Sequence, residues 1–206
     1  MNQNNIQASI DSIETFGLVD GPGIRVVVFF NGCKLRCKYC HNPEMWTKKE
    51  NNYTPQELVD KIKKYKSYFK KNGGVTFSGG EPLLHSKFII ETAKLLKEEN
   101  IHIALDTSGV GLGDYNELLP YIDLVILDIK HTEPLGYKEL TNLEISEVEE
   151  FIKELFEACN EGKVVDYFIR YRKSNATERN SLFVKSVQEV AEGIIYKLKE
   201  VQMKAY

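Results

Sequence analysis

Strand-like apolar segments alternate with amphipathic helical segments along this chain, and this alternation restricts its fold more than any other feature. Residues 26–30 are β-branched or aromatic throughout, which is typical of a strand buried on both faces. Shorter runs of the same kind predict four further strands, at 75–77, 101–105, 124–127 and 164–171. Strand–helix units with buried strands form parallel sheets, either open or closed into a barrel. The length of 206 residues suits a single domain, 1–206.

Apolar residues at helical spacing predict the helices between these strands. The first helix, 54–69, is expected to begin with a capping box formed by Thr54 and Glu57. Ser146 and Glu149 are expected to form a second capping box. The remaining helices are predicted at 86–99, 115–119, 146–159 and 178–204.

Composition excludes several classes of protein. The net charge of −3 gives no global basic field, so we expect no nucleic-acid partner. No run of about 18 apolar residues is present, so we expect no membrane span. The first five residues lead into no apolar signal core, which favours a cytoplasmic protein whose thiols stay reduced. Four cysteines are too few for a disulfide scaffold. We also expect the protein to be a monomer.

Polar residues follow every predicted strand at the point where it ends. They are Asn31, Gly32 and Cys33, then Ser78, Gly79, Gly80 and Glu81, then Asp106 and Thr107, then Asp128 and Lys130, and finally Arg170. In parallel α/β folds the carboxyl ends of the strands meet at one edge, where ligands bind. This placement indicates an enzyme.

Cys33, Cys37 and Cys40 lie within eight residues directly after the first strand. A structural zinc site with His41 as fourth ligand is one interpretation, although such sites usually draw ligand pairs from two separate places. A haem-attachment motif would leave Cys33 unused, and a redox dithiol needs only two cysteines. An iron–sulfur cluster suits three thiolates better, and one iron would then remain open for chemistry. Cys159 is expected to be a core residue on its helix.

The cysteine spacing and the later motifs resemble the radical S-adenosylmethionine superfamily and, within it, the glycyl-radical-enzyme activases. The matching segments are 17–25, 39–46, 78–82, 106–109 and 123–130. The chain is family-like over 13–171, most closely up to Lys130. The resemblance implies an α/β fold, a partial and open TIM-like parallel βα barrel. We expect about five strands, with the family's last βα unit missing or altered.

The resemblance also implies the chemistry and the partners. Cys33, Cys37 and Cys40 would ligate a [4Fe–4S] cluster, whose open iron is chelated by S-adenosylmethionine. Reductive cleavage would give methionine and a 5′-deoxyadenosyl radical, which takes hydrogen from a glycine of a partner enzyme. The implied partner is pyruvate formate-lyase or a related glycyl radical enzyme, and the implied electron donor is a flavodoxin or ferredoxin.

Individual site residues follow from the same motifs. The implied cofactor-binding residues are Tyr39, His41, Asn42, Gly79, Gly80, Glu81, Asp106, Asp128, Lys130 and Arg170. Asp106, Thr107 and Asp128 match a monovalent-cation site of the family. Asp20 matches the residue that contacts the partner's glycyl peptide. Without the resemblance, Asp128 and Lys130 would be read as a surface ion pair.

The chain departs from the family after Tyr171. The family's late S-adenosylmethionine-binding histidine has no counterpart, because all four histidines precede residue 132. Residues from about 172 to 206 are expected to form a divergent C-terminal helix. Two alternatives therefore stay open: an anaerobic ribonucleotide reductase activase, and a catalytically impaired remnant that binds a cluster or zinc.

Overall fold

A six-stranded sheet organises the chain, whose computed structural model describes residues 6–163 and 166–171. The strands lie side by side in chain order as β1 Ile10–Gly17, β2 Arg25–Phe30, β3 Gly74–Gly79, β4 His102–Thr107, β5 Leu124–Ile129 and β6 Asp166–Tyr171. β1 runs antiparallel to β2, and every later pair is parallel. The predicted α/β fold with five parallel strands is therefore confirmed by β2 to β6.

Helices connect the strands and cover one face of the sheet. Their bounds are α1 Pro55–Lys63, α2 Lys66–Phe69, α3 Ser86–Glu98, α4 Tyr115–Leu118, α5 Pro134–Thr141 and α6 Ser146–Asn160. Val28, Phe77 and Leu105 belong to the main core, together with apolar residues of α1, α3 and α6. Removing this apolar surface from water is the main favourable contribution to folding.

The opposite face of the sheet carries a different set of residues. Ala104, Leu124 and Ile126 form a separate small buried cluster there. Because side chains alternate along a strand, Asp106 and Asp128 lie on this second face, towards the carboxyl ends of β4 and β5. The sheet thus directs its apolar side to the helices and brings its polar residues to one edge.

Two local predictions are corrected by the structure. The predicted helix 54–69 ends at Lys63, and a separate turn of helix, α2, follows Tyr65. Apolar spacing missed this break because Phe69 is still buried after the chain changes direction. The capping box at Thr54 is confirmed, but Ser146 makes no cap, because it is the first residue inside α6 and Ile145 takes the N-cap position.

The sequence patterns predicted neither the strand β1 nor the helix α5. β1 is an edge strand whose side chains are alternately half-buried and exposed, so it lacks the continuous apolar run of the other strands. α5 is short and contains Gly136, a weak helix former. The expected C-terminal helix lies outside the described residues. No helix within the described ranges is both long and apolar enough to cross a bilayer.

Two histidines with lowered pKa values predict that the fold loses stability in mild acid. Burial lowers the pKa of His85, whose ring stacks on Phe30 and donates from Nε2 to the Asn31 carbonyl at 2.7 Å. Partial burial and the nearby Arg25 lower the pKa of His102. The unfolded chain therefore binds these protons near pH 6.5, and the folded chain binds them only at lower pH. The free energy of unfolding should fall as the pH drops below about 6.5.

Urea unfolding at about pH 7.5 and about pH 5.5 measures this loss. The double variant His85→Gln, His102→Gln should show a smaller difference between the two pH values than the wild type. The control variant His131→Gln changes a half-exposed histidine and should keep the full difference. An unchanged difference in the double variant would assign the acid sensitivity to carboxylates instead.

Candidate active site

A cleft of about 280 Å³ opens where the carboxyl ends of the parallel strands meet. Most of the site residues predicted from the sequence line it. They are Cys33, Cys37, Tyr39, Cys40, His41, Asn42, Gly79, Gly80, Asp106, Thr107, Asp128 and Lys130. Residues that are up to 97 positions apart in the chain thus share one cavity, because parallel strands end on the same side.

The cysteine loop is held in place at its start. Gly32, with a φ of +97°, turns the chain out of β2, and its N–H donates to the Met45 carbonyl at 2.7 Å. The Cys33 N–H donates to the Trp46 carbonyl at 3.1 Å. The Arg36 guanidinium donates to the Cys33 carbonyl at 2.6 Å and lies over the Trp46 ring at 5.1 Å. Backbone and side-chain contacts therefore fix the loop before any ligand binds.

The end of α5 holds the middle of the same loop. The Arg36 N–H donates to the Thr141 carbonyl at 2.7 Å, and the Lys38 N–H donates to the Leu140 carbonyl at 3.0 Å. These two bonds lie on either side of Cys37. They satisfy carbonyls that the end of a helix otherwise leaves unpaired. Sequence reasoning missed α5 and therefore missed this attachment.

The three cysteines are free thiols, half-buried, and all line the cleft. Burial, with a smaller effect from Glu81, raises the pKa of Cys33 to about 12. Burial also raises the pKa of Cys37. Metal binding must therefore displace protons from these thiols. Within the described residues, no three His, Cys, Asp or Glu side chains are placed to hold a single metal ion. Three thiolates on one loop suit an iron–sulfur cluster.

The Gly79 and Gly80 segment forms a second wall of the cleft. Gly79 has a φ of +111°, and a Cβ at this position would lie 2.3 Å from the Phe30 nitrogen. The Gly80 N–H donates to the Phe30 carbonyl at 2.8 Å. This hydrogen bond holds the segment against the end of β2. Only glycine fits this close approach, so the backbone itself faces the cleft.

Glu81 lies behind this wall, fully buried, and does not line the cleft. Its carboxylate accepts hydrogen bonds from the Ser108 N–H at 2.9 Å, the Leu83 N–H at 3.1 Å, and the hydroxyls of Thr107 and Ser108. Burial raises the pKa of Glu81, although these hydrogen bonds oppose the change. The structure therefore places Glu81 as a support for the loop after β4.

Asp128 and Lys130 form an ion pair at the cleft. The Lys130 ammonium contacts one Asp128 oxygen at 2.9 Å. Burial acts to lower the pKa of Lys130, but Asp128 and Tyr39 outweigh it, so the pKa is raised. The other Asp128 oxygen, Oδ1, is buried without a hydrogen-bond partner among the described residues. Buried acceptors of this kind are normally paired with a donor, a cation or an ordered water.

Asp20 lies in the hairpin between β1 and β2, outside the cleft lining. Its carbonyl accepts a hydrogen bond from Thr76 Oγ1 at 2.7 Å. Thr76 lies two residues before Ser78, which lines the cleft. Arg170 pairs in register with Asp128 on the neighbouring strand. Its side chain lies outside what the structure describes.

Several residues that line the cleft were given no role from the sequence. They are Phe29, Leu35, Ser78 and Ser108. Ser78 and Ser108 belong to motifs that were recognised, so their positions were available from the sequence. Phe29 could have been found by strand alternation, since it lies two residues from Val27 on the same face of β2. Trp46 also lines the cleft, beside the cysteine loop.

Residues 27–170 match the family profile of the Radical SAM superfamily. The match covers more than half of the chain, and the chain belongs to this superfamily. Within it, the chain is similar to the pyruvate formate-lyase-activating enzyme of Clostridium pasteurianum. The two are 51% identical over 150 residues, which cover 72% of this chain and 63% of the relative.

The enzyme of the same name from Staphylococcus epidermidis is 39% identical over 160 residues, which cover 73% of this chain and 64% of the relative. The chain thus spans less than two thirds of the length of these curated relatives.

Solved structures share the fold. Streptococcus suis SuiB bound to precursor peptide SuiA superposes with a TM-score of 0.54 at 14% identity, covering 94% of this chain and 48% of that one. Hexahistidine-tagged anSMEcpe with bound AdoMet superposes with a TM-score of 0.51 at 20% identity, covering 68% of this chain and 40% of that one. At these identities the likeness concerns the fold alone.

Proposed function

We propose that this chain activates a glycyl radical enzyme of the pyruvate formate-lyase type by radical S-adenosylmethionine chemistry. The observation that carries the proposal is the cleft, where three thiols of one loop face a glycine backbone wall and a buried carboxylate. Similarity to enzymes named for pyruvate formate-lyase activation supports this assignment.

Cys33, Cys37 and Cys40 would hold a [4Fe–4S] cluster. The chemistry that this cluster supplies, with S-adenosylmethionine bound, is one-electron reductive cleavage of the sulfonium to the radical that takes hydrogen from glycine. The cysteine loop holds the ligands in place through its bonds to the Met45, Trp46, Leu140 and Thr141 carbonyls.

S-adenosylmethionine would lie between the cysteine loop and the strand ends. The Gly79 and Gly80 backbone would face the methionyl amine, and Lys130 would offset the charge of the carboxylate. Tyr39, His41 and Asn42 would contact the adenine end. Glu81 would act as a positioning residue, because it holds the loop that carries Thr107 and Ser108.

A monovalent cation would bind at Asp106, Thr107 and Asp128. The buried Oδ1 of Asp128 supports this part of the proposal, because it lacks a hydrogen-bond partner among the described residues. Thr107 Oγ1 donates to Glu81 and accepts from the Gly109 N–H at 2.9 Å, so little of its hydrogen-bonding capacity remains for a cation. The two carboxylates would therefore supply most of the coordination.

Asp20 would contact the glycyl peptide of the partner enzyme, and Arg170 would contact S-adenosylmethionine from the end of β6. The electron would come from a flavodoxin or ferredoxin, and the activase would act as a cytoplasmic monomer. The Asp20 hairpin also exposes the apolar side chains of Leu18 and Val19, which a partner protein could cover.

The test is anaerobic reconstitution of the full chain, followed by three measurements. Reconstitution should load about four iron atoms per chain. The first measurement is the electron spin resonance spectrum, which should change on adding S-adenosylmethionine. Release of 5′-deoxyadenosine with dithionite is the second measurement. A glycyl radical on added pyruvate formate-lyase is the third.

Each failure points to a different alternative. If the electron spin resonance spectrum of the reduced cluster does not change on adding S-adenosylmethionine, the chain is a binding module without catalysis. Turnover that transfers a radical to anaerobic ribonucleotide reductase but not to pyruvate formate-lyase would reassign the partner. Absence of bound iron would overturn the proposal.

A further inference from the structure

Tyr137 carries a buried hydroxyl that the proposed mechanism does not use. The side chain lies in α5 and is fully buried. Its hydroxyl has no hydrogen-bond partner among the described residues. Buried polar groups are almost always hydrogen-bonded in native proteins, because an unpaired one costs free energy on folding. The partner of this hydroxyl is therefore either a buried water or a bound group.

The position of α5 limits which groups could accept a hydrogen bond from the Tyr137 hydroxyl. The last carbonyls of this helix accept hydrogen bonds from the cysteine loop on both sides of Cys37. Burial raises the pKa of Tyr137, and the neighbouring groups that add to this effect are Cys37 first, then Glu81, Glu147 and Cys33. Tyr137 therefore lies within electrostatic range of two of the three proposed cluster ligands.

The carboxylates of Glu81 and Glu147 already have hydrogen-bond or ion-pair partners. Glu81 accepts bonds from Leu83, Thr107 and Ser108. Glu147 pairs with the Lys34 ammonium at 3.2 Å. Among these four neighbouring groups, the acceptors that remain are the sulfurs of Cys37 and Cys33. A tyrosine hydroxyl is protonated at neutral pH and can donate to such a sulfur.

We propose that the Tyr137 hydroxyl donates a hydrogen bond to a sulfur of the iron–sulfur site, either the Cys37 thiolate or a cluster sulfide. The proposal rests on the proposed function, because it needs the cluster. A hydrogen bond to cluster sulfur stabilises the reduced, more negative state, and so raises the reduction potential. Tyr137 is thus a tuning residue: it acts through the cluster and touches no substrate.

The experiment compares Tyr137→Phe with the wild type and with Tyr115→Phe, each as the full chain reconstituted anaerobically. Tyr115 is the matched control, because it is also a buried tyrosine, and its hydroxyl accepts from the Gly111 N–H at 3.0 Å. The first readout is the midpoint potential from a redox titration followed by electron spin resonance. The second is the shift of the iron–sulfur stretching bands on transfer to D₂O, which reports hydrogen bonds to sulfur.

We expect the ratio of reduced to oxidised cluster at a fixed potential to fall about tenfold in Tyr137→Phe, which is about 59 mV for one electron. Its D₂O shift should shrink, and Tyr115→Phe should match the wild type in both readouts. Without the cluster, Tyr137→Phe should unfold at the same or a higher urea concentration than the wild type, since it loses an unpaired hydroxyl.

A potential and D₂O shift equal to wild type would overturn this inference and leave the proposed function standing. An equal change in Tyr115→Phe would also overturn it, because the effect would then be general to buried tyrosines. A cluster-free Tyr137→Phe protein that unfolds at lower urea would overturn it too, because the hydroxyl would then have a structural partner. A wild-type chain that binds no iron would overturn both proposals together.

Discussion

Cys37→Ala is expected to lose the iron–sulfur cluster, while Cys159→Ala keeps it. Cys37 lies in the cleft, at the centre of the loop that α5 holds on both sides. Cys159 lies on α6, packed against the main hydrophobic core and away from the cleft. After anaerobic reconstitution, bound iron should fall from about four atoms per chain to below one in Cys37→Ala. Cys159→Ala should remain near four.

Folding must be checked in the same samples. The Cys37→Ala substitution removes little buried surface, because Cys37 is only half-buried, and far-ultraviolet circular dichroism should match the wild type. Retention of the full iron content in Cys37→Ala would remove this residue from the ligand set. Loss of iron in Cys159→Ala would make Cys159 a ligand and would contradict its assignment as a core residue.

Glu81→Ala is expected to lower the free energy of unfolding by about 2–5 kcal/mol, because it leaves the buried Leu83 and Ser108 N–H groups without an acceptor. The loop that carries Thr107 and Ser108 would lose its attachment at the cleft wall. The affinity of the reconstituted protein for S-adenosylmethionine should therefore fall at least about tenfold, or about 1.4 kcal/mol. Urea unfolding and equilibrium binding measure the two effects.

Glu57→Ala is the matched control, since Glu57 completes the exposed capping box of α1. Its loss should lower stability much less than the loss of Glu81, because its hydrogen bonds to Thr54 are exposed to water, and it should leave S-adenosylmethionine binding unchanged. Glu81→Gln keeps the size of the side chain but turns an amide N–H towards donors, so an intermediate effect is expected. Unfolding of Glu81→Ala within about 0.5 kcal/mol of the wild type would show that the hydrogen-bond network adds little.

The location of the site could be predicted from the sequence, because it depends on a general property of parallel sheets. Asp106 and Asp128 had to meet once their strands were recognised as parallel neighbours. The three cysteines could be grouped from their spacing alone. Local patterns of this kind survive folding unchanged, which is why both parts of the site were recognisable.

Contacts between distant segments could not be predicted in this way. Glu81 belongs to a motif associated with ligand binding, yet its carboxylate turns inward to Thr107, 26 residues away. The hydrophobic periodicity of the sequence contains no information about such a contact. Asp20 likewise belongs to a recognisable turn, but its hydrogen bond to Thr76 depends on how the hairpin packs against β3. The role of α5 was hidden because a short helix with a glycine has a weak local pattern.

The attachment of the cysteine loop has a consequence for how the metal centre assembles. In zinc fingers, the free energy of metal binding also orders the chain, so removing the metal unfolds the domain. Here the backbone around Cys37 is already bonded to Leu140 and Thr141. The conformational entropy of the loop is lost when the protein folds and not when iron arrives. Removal of the cluster should therefore leave the fold of the loop intact, unlike removal of zinc from a zinc finger.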